Sequence, residues 1–505
     1  MTVYDLDPEV GEEKVAEKVD SYEISDGSSV DTSLYGRIQN FAGKYAMEAR
    51  GVERVPEDER TDSSIYKAGS FWFAINLVVS ALSIGAVGPE LGLAFWDSVL
   101  VILFFNALGA APVALFSLFG PKLGFRQMIL GRYWFGMQGN KIFSFLNLIS
   151  CVGWSAINTI VGAQMLHTIG SSHNVPPWAG VLIITLLAFT LTLFGYKIVH
   201  NYEKYCWIPT FIILIIICVR LHKSGAFTTG ELKTGQAEIG AVLTFGSILF
   251  GGTAGWATFA CDYVVYQPKT TNPVKLFFVV FFALWIPIVF VDIIGLACMM
   301  GTFTNENMAT SYENNGIGGL LHAILVDNSL HGFGEFCLVV LALSTIGGTC
   351  PNNYSFGLTI QALDDIFLKV PRIIWAVVSS GLFIAVSIPA YYSFNAYMQD
   401  FMNIMGYWVS SYMTIAALEH FYIRKGYSGY DVTHWNDSSK LPPGWATLIA
   451  FLAGVGAMVV GMDQTWWTGP LAKKVEGDIA FELCIGFSGV VFMIARPLEL
   501  KYFGH

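Results

Sequence analysis

Two tryptophans and a few amides are the side chains of this chain best suited to hold a flat ring. Trp154 and Asn158 are four residues apart, so on a helix they share one face about 6 Å apart along the axis. An indole stacks on a heteroaromatic ring, while a carboxamide exchanges hydrogen bonds with the edge of that ring. Trp256 is a candidate for the other side of a sandwich, and Asn352 or Asn353 offers a second amide. The alternative is that both tryptophans are ordinary core or interface aromatics.

Two acidic residues in apolar segments are candidates for coupling to a proton. Asp262 closes one apolar segment, and Asp292 lies deep within the next. No Lys or Arg lies deep in any apolar segment to form an ion pair with Asp292. Ionising a carboxyl group in hydrocarbon is costly, so such an acid can bind a proton reversibly. A hydrogen-bonded structural acid is the alternative reading of either residue.

Sodium is the competing coupling ion. The adjacent hydroxyls of Ser344 and Thr345, with carbonyl groups from a loosened helix, would provide oxygen ligands. Serine and threonine also commonly bond to carbonyls of their own helix, which is the structural alternative. Apart from a co-transported H⁺, with Na⁺ left open, no cofactor is predicted.

Several chemistries have no matching pattern in the sequence. There is no GxxxxGK[ST] loop for nucleotide phosphates, no Ser/His/Asp arrangement with a plausible local context, and no HExxH. The eight cysteines fall in or beside apolar segments without CxxC spacing, so neither a metal site nor a disulfide framework is predicted. The chain is therefore not expected to be an ATP-driven pump or another enzyme, and nothing in it predicts nucleic-acid binding.

Long apolar segments must position these side chains, and they predict an all-α protein that spans a lipid bilayer. Of 505 residues, 54% are hydrophobic and 13% are charged, too little charge to cover a soluble surface of this size. A segment of about twenty apolar residues can cross roughly 30 Å of hydrocarbon. Twelve spans are predicted, at 69–92, 97–119, 142–168, 177–196, 202–220, 239–262, 275–300, 334–360, 371–391, 395–421, 443–466 and 479–496.

The charges between the spans predict that both termini are cytoplasmic. With the amino terminus inside, 23 of the 28 Lys and Arg residues fall on the cytoplasmic side. The positive-inside rule predicts this asymmetry for an even number of spans. An odd miscount would place later loops on the wrong side and remove the asymmetry. The five outward residues are Arg220, Lys223, Lys233, Lys473 and Lys474.

Glycine clusters at matching positions predict that the first and sixth spans are interrupted. Glycine removes side-chain restraint and proline removes a backbone donor, so both weaken a helix. Breaks five spans apart predict an inverted 5+5 repeat with a substrate near the midplane. The alternative is that the glycines only let helices approach closely. The residues concerned are Gly85, Gly88 and Pro89 in the first span and Gly251, Gly252 and Gly255 in the sixth.

Three regions follow from these patterns. Residues 1–68 are acidic, poor in large apolar side chains and expected to be a disordered cytoplasmic tail, available to trafficking or ubiquitin machinery. A short surface helix around Ile38, Phe41, Tyr45 and Met47 is an equal alternative there. Residues 69–421 form the ten-helix repeat, and residues 422–505 add two spans and a short cytoplasmic end. The basic, aromatic loop 120–136 is expected to be structured.

At these residues the sequence resembles the nucleobase–cation symporter-1 family, in its fungal purine–cytosine permease branch. The likeness runs from about residue 65 to 497, and the order and spacing of its motifs carry it. The motifs are residues 71–76 and 83–85 in the first span, Arg126 and Arg132 in the loop, Gly153-Trp154 with Asn158, Gly255-Trp256 with Asp262-Tyr263, and Pro351-Asn352-Asn353.

The resemblance implies a 5+5 inverted-repeat fold (the amino-acid/polyamine/cation symporter fold) with two extra C-terminal spans. It also implies proton-coupled uptake of cytosine, adenine, guanine and hypoxanthine across the plasma membrane by alternating access. By position, Trp154 and Trp256 would stack on the substrate, Asn158 would be the principal amide and Asn352 the second. A serine of the first span also belongs to the family site, and Ser80 and Ser83 both fit.

Other functions of the same fold remain open from the sequence. The resemblance also implies that relatives coupled to sodium use hydroxyls of span eight, so Ser344 and Thr345 keep sodium coupling open. The same branch includes carriers of vitamin B6 (pyridoxine), and allantoin-type symport is a further alternative. An amino-acid carrier of the same fold and a sensor that binds a nucleobase without moving it are the competing classes. A channel is disfavoured because no span carries a ladder of charge.

Overall fold

The computed structural model describes residues 52–170, 175–193, 196–231 and 234–505. In these ranges the chain is mostly helical. One short antiparallel hairpin, Asp463–Gln464 with Trp467–Thr468, pairs Asp463 with Thr468 and Gln464 with Trp467. The predicted surface helix around Ile38 to Met47 lies outside the described residues.

Twelve spans can be traced in the described residues, in agreement with the prediction. Eight helical segments are long and apolar enough to cross a membrane, and the bent pair Ile65–Asn76 with Ala81–Glu90 adds another. Two shorter apolar helices belong to the series, and the segment Arg372–Ile423 contains two spans joined by a short turn.

The spans are numbered along the chain. Span one is Ile65–Asn76 with Ala81–Gly85 and Val87–Glu90, span two Phe95–Ser117 with Phe119–Leu123, span three the part of Gln127–Thr168 after Gly136, and span four Pro177–Leu193. Span five is Tyr196–Ser224, span six Gln236–Ala254 with Gly255–Thr258, span seven Pro273–Met300, and span eight Gly332–Leu363. Span nine is Arg372–Ala390, span ten Phe394–Leu418, span eleven Trp445–Gly461, and span twelve Ala480–Phe503. A further helix, Glu306–Leu325, follows span seven and is kinked at Asn315 and Gly316.

The spans pack as two groups that meet at the breaks. Spans one, two, six and seven pack on one another, and spans three, four, eight and nine form the second group. Span ten packs on spans three and six, and spans eleven and twelve pair with each other, with span twelve against span ten. This pairing is that of an inverted 5+5 repeat followed by two additional spans.

The break in span one lies at residues 77–80, upstream of the glycines where it was predicted. The two halves are bent by 63°. Residues 81–90 are helical instead, because Ala86 continues the right-handed turn and Pro89 lies in the first turn of Val87–Glu90, where its missing N–H has no helical partner to lose. The break falls at two β-branched valines followed by Ser80, residues that favour helix less than unbranched ones do.

The break in span six lies at the predicted glycine. The α-helix ends at Ala254, and Gly255 begins a 3₁₀ turn that ends at Thr258. The chain then continues in turns to the start of span seven. Gly251 and Gly252 remain inside the α-helix.

Residues 52–64 are ordered, which corrects the expected extent of the disordered tail. Arg60 is 2% exposed, and its guanidinium donates to the backbone oxygens of Val55 at 2.8 Å and Pro121 at 3.0 Å. The Val55 N–H in turn donates to the Gly124 oxygen at 2.9 Å. Gly124 has φ 79°, and a Cβ there would overlap the Arg60 guanidinium. The chain is therefore anchored to the end of span two before span one begins.

The basic, aromatic loop 120–136 is structured, as predicted. Residues 127–135 form a buried helical segment that turns into span three at Gly136, whose φ of 73° only glycine adopts readily. A Cβ at Gly136 would also overlap the Pro442 backbone oxygen.

Two buried carboxylates attach the last two spans to the repeat. Glu419, at the end of span ten, accepts hydrogen bonds from Nε of Arg496 at 2.9 Å and from Nη2 of the same residue at 3.1 Å. Near the opposite ends of these spans, Asp478 accepts from the Tyr407 hydroxyl and from the Asp463 N–H at 2.8 Å.

Candidate functional site

A small cavity lies where the breaks of spans one and six meet spans three and eight. Its wall is mostly apolar and carries a few amides, hydroxyls and one carboxyl group, the pattern of a small-molecule site. The lining residues that carry polar or aromatic chemistry are Asn76, Ser80, Asn106, Trp154, Asn158, Thr253, Trp256, Asp292 and Asn352.

Ser80 and Asn158 form the central polar pair of this cavity. The Ser80 hydroxyl donates to Asn158 Oδ1 at 2.6 Å, so the amide nitrogen of Asn158 is left as the donor. Span eight makes room for that amide at Gly348, where a Cβ would lie 2.8 Å from Asn158 Nδ2. Ser83 is buried but is not part of the lining, and its hydroxyl has no hydrogen-bond partner in the described residues. Of the two serines predicted, the structure brings Ser80 to the cavity.

The two asparagines of span eight point to different neighbours. Asn352 lines the cavity, and its Nδ2 donates to the Gly348 oxygen at 3.0 Å, which leaves Oδ1 as an acceptor. Asn353 instead joins span nine: its Nδ2 donates to Ser380 at 3.2 Å, and its Oδ1 accepts from Ser379 at 2.5 Å. Asn352 is therefore the site candidate.

Both predicted tryptophans form part of the cavity wall. Trp154 lies against the break of span six: a Cβ added to Gly255 would be only 3.2 Å from the indole Nε1 of Trp154. Phe401 of span ten meets Trp154 edge-on, with ring centroids 6.0 Å apart. Trp256 is held by an edge contact with Trp72 of span one at 5.7 Å. Each indole is thus fixed by packing while part of it borders the cavity.

The predicted glycines divide into two roles. A Cβ at Gly85 would overlap the backbone oxygen of Asp292, and one at Gly251 would overlap the backbone oxygen of Met402. Gly88 similarly allows contact with Ser98 of span two. These three are close-packing positions and not parts of a break, which corrects their prediction as helix-break backbone. Gly252 lines the cavity, and Gly255 begins the irregular turn.

Asp292 is the one acidic side chain that lines the cavity in the described part of the chain. It is fully buried, and its Oδ2 accepts from Asn106 Nδ2 at 2.9 Å. Thr253 donates to the oxygen of the same Asn106 amide at 2.5 Å. Among the described residues, Asp292 Oδ1 has no partner.

The other coupling candidates lie elsewhere. Asp262 accepts from the Gln127 N–H at 2.8 Å, and its backbone oxygen accepts from Arg126 at 2.7 Å, so it joins span six to the loop before span three. Ser344 and Thr345 each donate to a carbonyl one turn back in span eight, both at 2.7 Å. None of the three lines the cavity.

Several polar residues of this region were not identified from the sequence. Asn106 and Thr253 lie in apolar spans, where an isolated amide or hydroxyl marks a candidate functional residue just as a charged side chain does. This criterion was applied to the acidic residues of the sequence and not to these two. Glu90, at the end of span one, was also missed. It accepts from Tyr312 at 2.5 Å and from Asn395 and Gln399, each at 2.9 Å, and thereby ties the helix Glu306–Leu325 and span ten to span one.

The arrangement suits a small, neutral, planar molecule. Aromatic and aliphatic side chains would cover its faces, while an amide donor and an amide acceptor would bond to its edge. The described residues contain no group of three His, Cys, Asp or Glu side chains able to hold a metal ion.

Comparison with known proteins agrees with this architecture. The family described as permeases for cytosine/purines, uracil, thiamine and allantoin matches residues 54–480. The chain is 45% identical to the purine-cytosine permease FCY2 of Saccharomyces cerevisiae, covering 92% of this chain and 89% of the relative. It is 44% identical to the purine-cytosine permease fcyB of Emericella nidulans, covering 94% and 92%. The vitamin B6 transporter TPN1 of Saccharomyces cerevisiae is 29% identical, covering 91% and 88%.

Among solved structures, the fold is that of Mhp1, a nucleobase-cation-symport-1 family transporter in a closed conformation with bromovinylhydantoin bound. The TM-score is 0.69 at 15% identity, covering 90% of this chain and 96% of Mhp1. The match over residues 54–480 spans all of the inverted repeat and reaches the start of span twelve. The chain therefore belongs to the nucleobase–cation symporter-1 family of membrane transporters, as the sequence resemblance predicted.

Proposed function

We propose that this protein is a plasma-membrane symporter that imports cytosine and purines together with protons by alternating access. The observation that carries the proposal is the cavity at the breaks of spans one and six, where the Ser80–Asn158 pair and Asn352 lie between aromatic walls. The names of the purine-cytosine permeases FCY2 and fcyB support the choice of substrate.

The polar groups of the cavity match the edge of an aminated nucleobase. With Ser80 donating to Asn158 Oδ1, Asn158 Nδ2 is available to donate to a ring nitrogen. Asn352 Oδ1 is available to accept from an exocyclic amino group, because its Nδ2 bonds to span eight. Cytosine and adenine carry such a donor beside an acceptor. Trp154 and Trp256 would stack on the ring faces.

Proton coupling is favoured over sodium coupling by the positions of the candidate groups. Asp292 lies in the cavity wall, and one of its oxygens has no partner in the described part of the chain, so its carboxyl group can bind a proton there. The hydroxyls of Ser344 and Thr345 both bond to their own helix.

Vitamin B6 is the second candidate substrate, because TPN1 is similar over nearly the whole chain. A competition experiment separates the two. Uptake of labelled cytosine is measured in yeast cells that lack their own carriers, with unlabelled nucleobases or pyridoxine added. Adenine, guanine and hypoxanthine should compete and pyridoxine should not. No cytosine uptake by protein at the cell surface, or competition by pyridoxine alone, would contradict the proposal.

The proposed membrane orientation has both termini in the cytoplasm. It rests on the excess of Lys and Arg on the side where span one begins. The acidic N-terminal region would then be accessible to trafficking or ubiquitin machinery, and protease access in sealed right-side-out vesicles tests this: the tail should be protected.

A further inference from the structure

A carboxyl group that lines the cavity has one oxygen without a hydrogen-bond partner among the described residues. Asp292 is fully buried in span seven, and its Oδ2 accepts from Asn106 while its Oδ1 accepts from nothing in the described residues. An ionised oxygen left unpaired in an apolar site is strongly unfavourable. That oxygen therefore has to receive a proton or a donor from whatever enters the cavity.

A hydrogen-bond chain fixes which way the neighbouring amide faces. Thr253 Oγ1 donates to Asn106 Oδ1 at 2.5 Å, so the NH₂ group of Asn106 is directed at Asp292 Oδ2. Asn106 and Thr253 are both 1% exposed, so these bonds lie in a buried part of the cavity wall. Thr253 lies two residues before Gly255, where the helix of span six ends. The chain of bonds thus runs from span seven through span two to the break of span six.

We propose that Asn106 and Thr253 are positioning residues that hold the Asp292 carboxyl group with its free oxygen toward the cavity, so that the coupling proton and the nucleobase bind at one site. This inference rests on the proposed proton symport. A proton on Oδ1 changes the charge of the cavity without breaking the bond from Asn106 to Oδ2. Span six, which carries Trp256, is linked to that carboxyl group throughout.

No other ionisable side chain competes for this role in the described part of the chain. The cavity lining contains no His, Lys, Arg or Glu, and no Asp other than Asp292. The charged and titratable side chains on the packed elements lie outside the lining. They are Tyr66 and Lys67 on span one with Glu90, Asp97 and Lys122 on span two, and Glu238 on span six with Asp262 just after it. Span seven adds Lys275 and Cys298, the helix containing span three adds Arg132, Tyr133, Lys141, Cys151 and His167, and span eight adds Glu335, Cys337, Cys350 and Tyr354.

Removing the ionisable group tests the proposal first. The full-length wild type and Asp292→Asn are reconstituted in liposomes, and accumulation of labelled cytosine is followed with the outside acidic and with equal pH. The wild type should accumulate cytosine only with the gradient. Asp292→Asn should lose this accumulation, and any exchange that it retains should be independent of pH. Acid-driven accumulation equal to that of the wild type would overturn the proposal.

A matched pair at Thr253 separates positioning from packing. Thr253→Val keeps the shape and removes the hydroxyl, whereas Thr253→Ser keeps the hydroxyl and removes a methyl group. Without its restraint, Asn106 stabilises the ionised carboxylate less, so the pH at which uptake falls to half should rise by about one unit in Thr253→Val. Thr253→Ser should keep the wild-type profile. A normal profile in Thr253→Val together with a shifted one in Thr253→Ser would show a packing role and overturn the proposal.

The same measurements distinguish failure of this inference from failure of the proposed function. Wild-type liposomes that never take up cytosine would contradict the proposed function itself. Wild-type accumulation that follows a sodium gradient and ignores pH would contradict proton coupling and, with it, the role of Asp292. Acid-driven wild-type accumulation with unchanged pH profiles in both Asp292→Asn and Thr253→Val would contradict only the inference.

Discussion

Ser80 and Ser83 are one helical turn apart, yet only one of them reaches the cavity. Ser80 ends the break of span one and donates to Asn158, so its hydroxyl determines which atoms of that amide face a ligand. Ser83 is already inside the second half of the span and is not in the lining. A hydroxyl contact of this kind contributes about 1 kcal/mol.

Substituting the two serines tests this assignment at the scale of single residues. Ser80→Ala should raise the KM for cytosine by roughly five- to tenfold, because Asn158 loses the bond that orients it. Ser83→Ala is the matched control and should stay within about twofold of the wild type, since one buried hydroxyl without a partner is lost. Both are measured by initial uptake at equal surface expression. A larger effect from Ser83→Ala would contradict the assignment.

At the scale of elements, the glycines of spans one and six fall into two classes that substitution can separate. Gly85→Ala places a methyl group onto the Asp292 backbone, which cannot move aside, so span one would be pushed off span seven. The methyl group of Gly252→Ala would lie 3.5 Å from its nearest neighbour, the sulfur of Met402, which is an ordinary contact distance. Gly85→Ala should therefore lose most folded protein at the cell surface. Gly252→Ala should reach the surface and transport cytosine less well, because the methyl group narrows the cavity.

Fluorescence size-exclusion profiles and surface labelling measure folding, and uptake per surface molecule measures transport. Normal folding of Gly85→Ala, or misfolding of Gly252→Ala, would contradict this division between close packing and cavity wall.

The sequence predicted spans and breaks correctly where a local residue pattern marks them. It did not predict features that depend on contacts between distant parts of the chain. Apolar runs located twelve spans, and Gly255 marked the break of span six. The break of span one has no glycine or proline at residues 77–80, and its Ser80 bonds across to Asn158 of span three, a contact that no local pattern shows. The Asn106–Asp292 contact joins residues 186 positions apart, so no spacing rule could predict it. The residues alone left Asn352 and Asn353 open, and the resemblance favoured Asn352; the contacts of Asn353 with span nine separate the two.

On the scale of the whole molecule, Asp478 links the last two spans to spans six and ten from a buried loop position. It accepts from Tyr407, from the Asp463 N–H and from the Ala480 N–H, and Ser247 of span six lies 3.4 Å away. Burial raises the pKa of the Asp478 carboxyl from 3.8 to about 6. A carboxyl group whose pKa is raised by folding makes its full contribution to stability when the pH is below its pKa in the unfolded chain. That contribution is lost as the pH rises through its pKa in the folded protein.

The thermal stability of the purified protein should therefore depend on this carboxyl group between about pH 4 and pH 7. Relative to Asp478→Asn, the wild type should lose roughly 3 kcal/mol of unfolding free energy across that window, since one pKa unit corresponds to about 1.4 kcal/mol. Asp463→Asn, on the hairpin that precedes Asp478, removes only a minor cause of the raised pKa and should keep most of the pH dependence of the wild type. Parallel melting curves of wild type and Asp478→Asn at every pH would contradict the expectation.

The proposed function places a nucleobase in the cavity between spans one, three, six and eight and couples its transport to protons. Its most direct test is accumulation of labelled cytosine in proteoliposomes containing only the full-length chain, with Asn158→Ala reconstituted alongside at equal amount. An acidic exterior should drive accumulation of up to about tenfold per pH unit at one proton per substrate, abolished by a protonophore and absent in Asn158→Ala. Equal internal and external cytosine under the gradient, or accumulation undiminished in Asn158→Ala, would contradict the account.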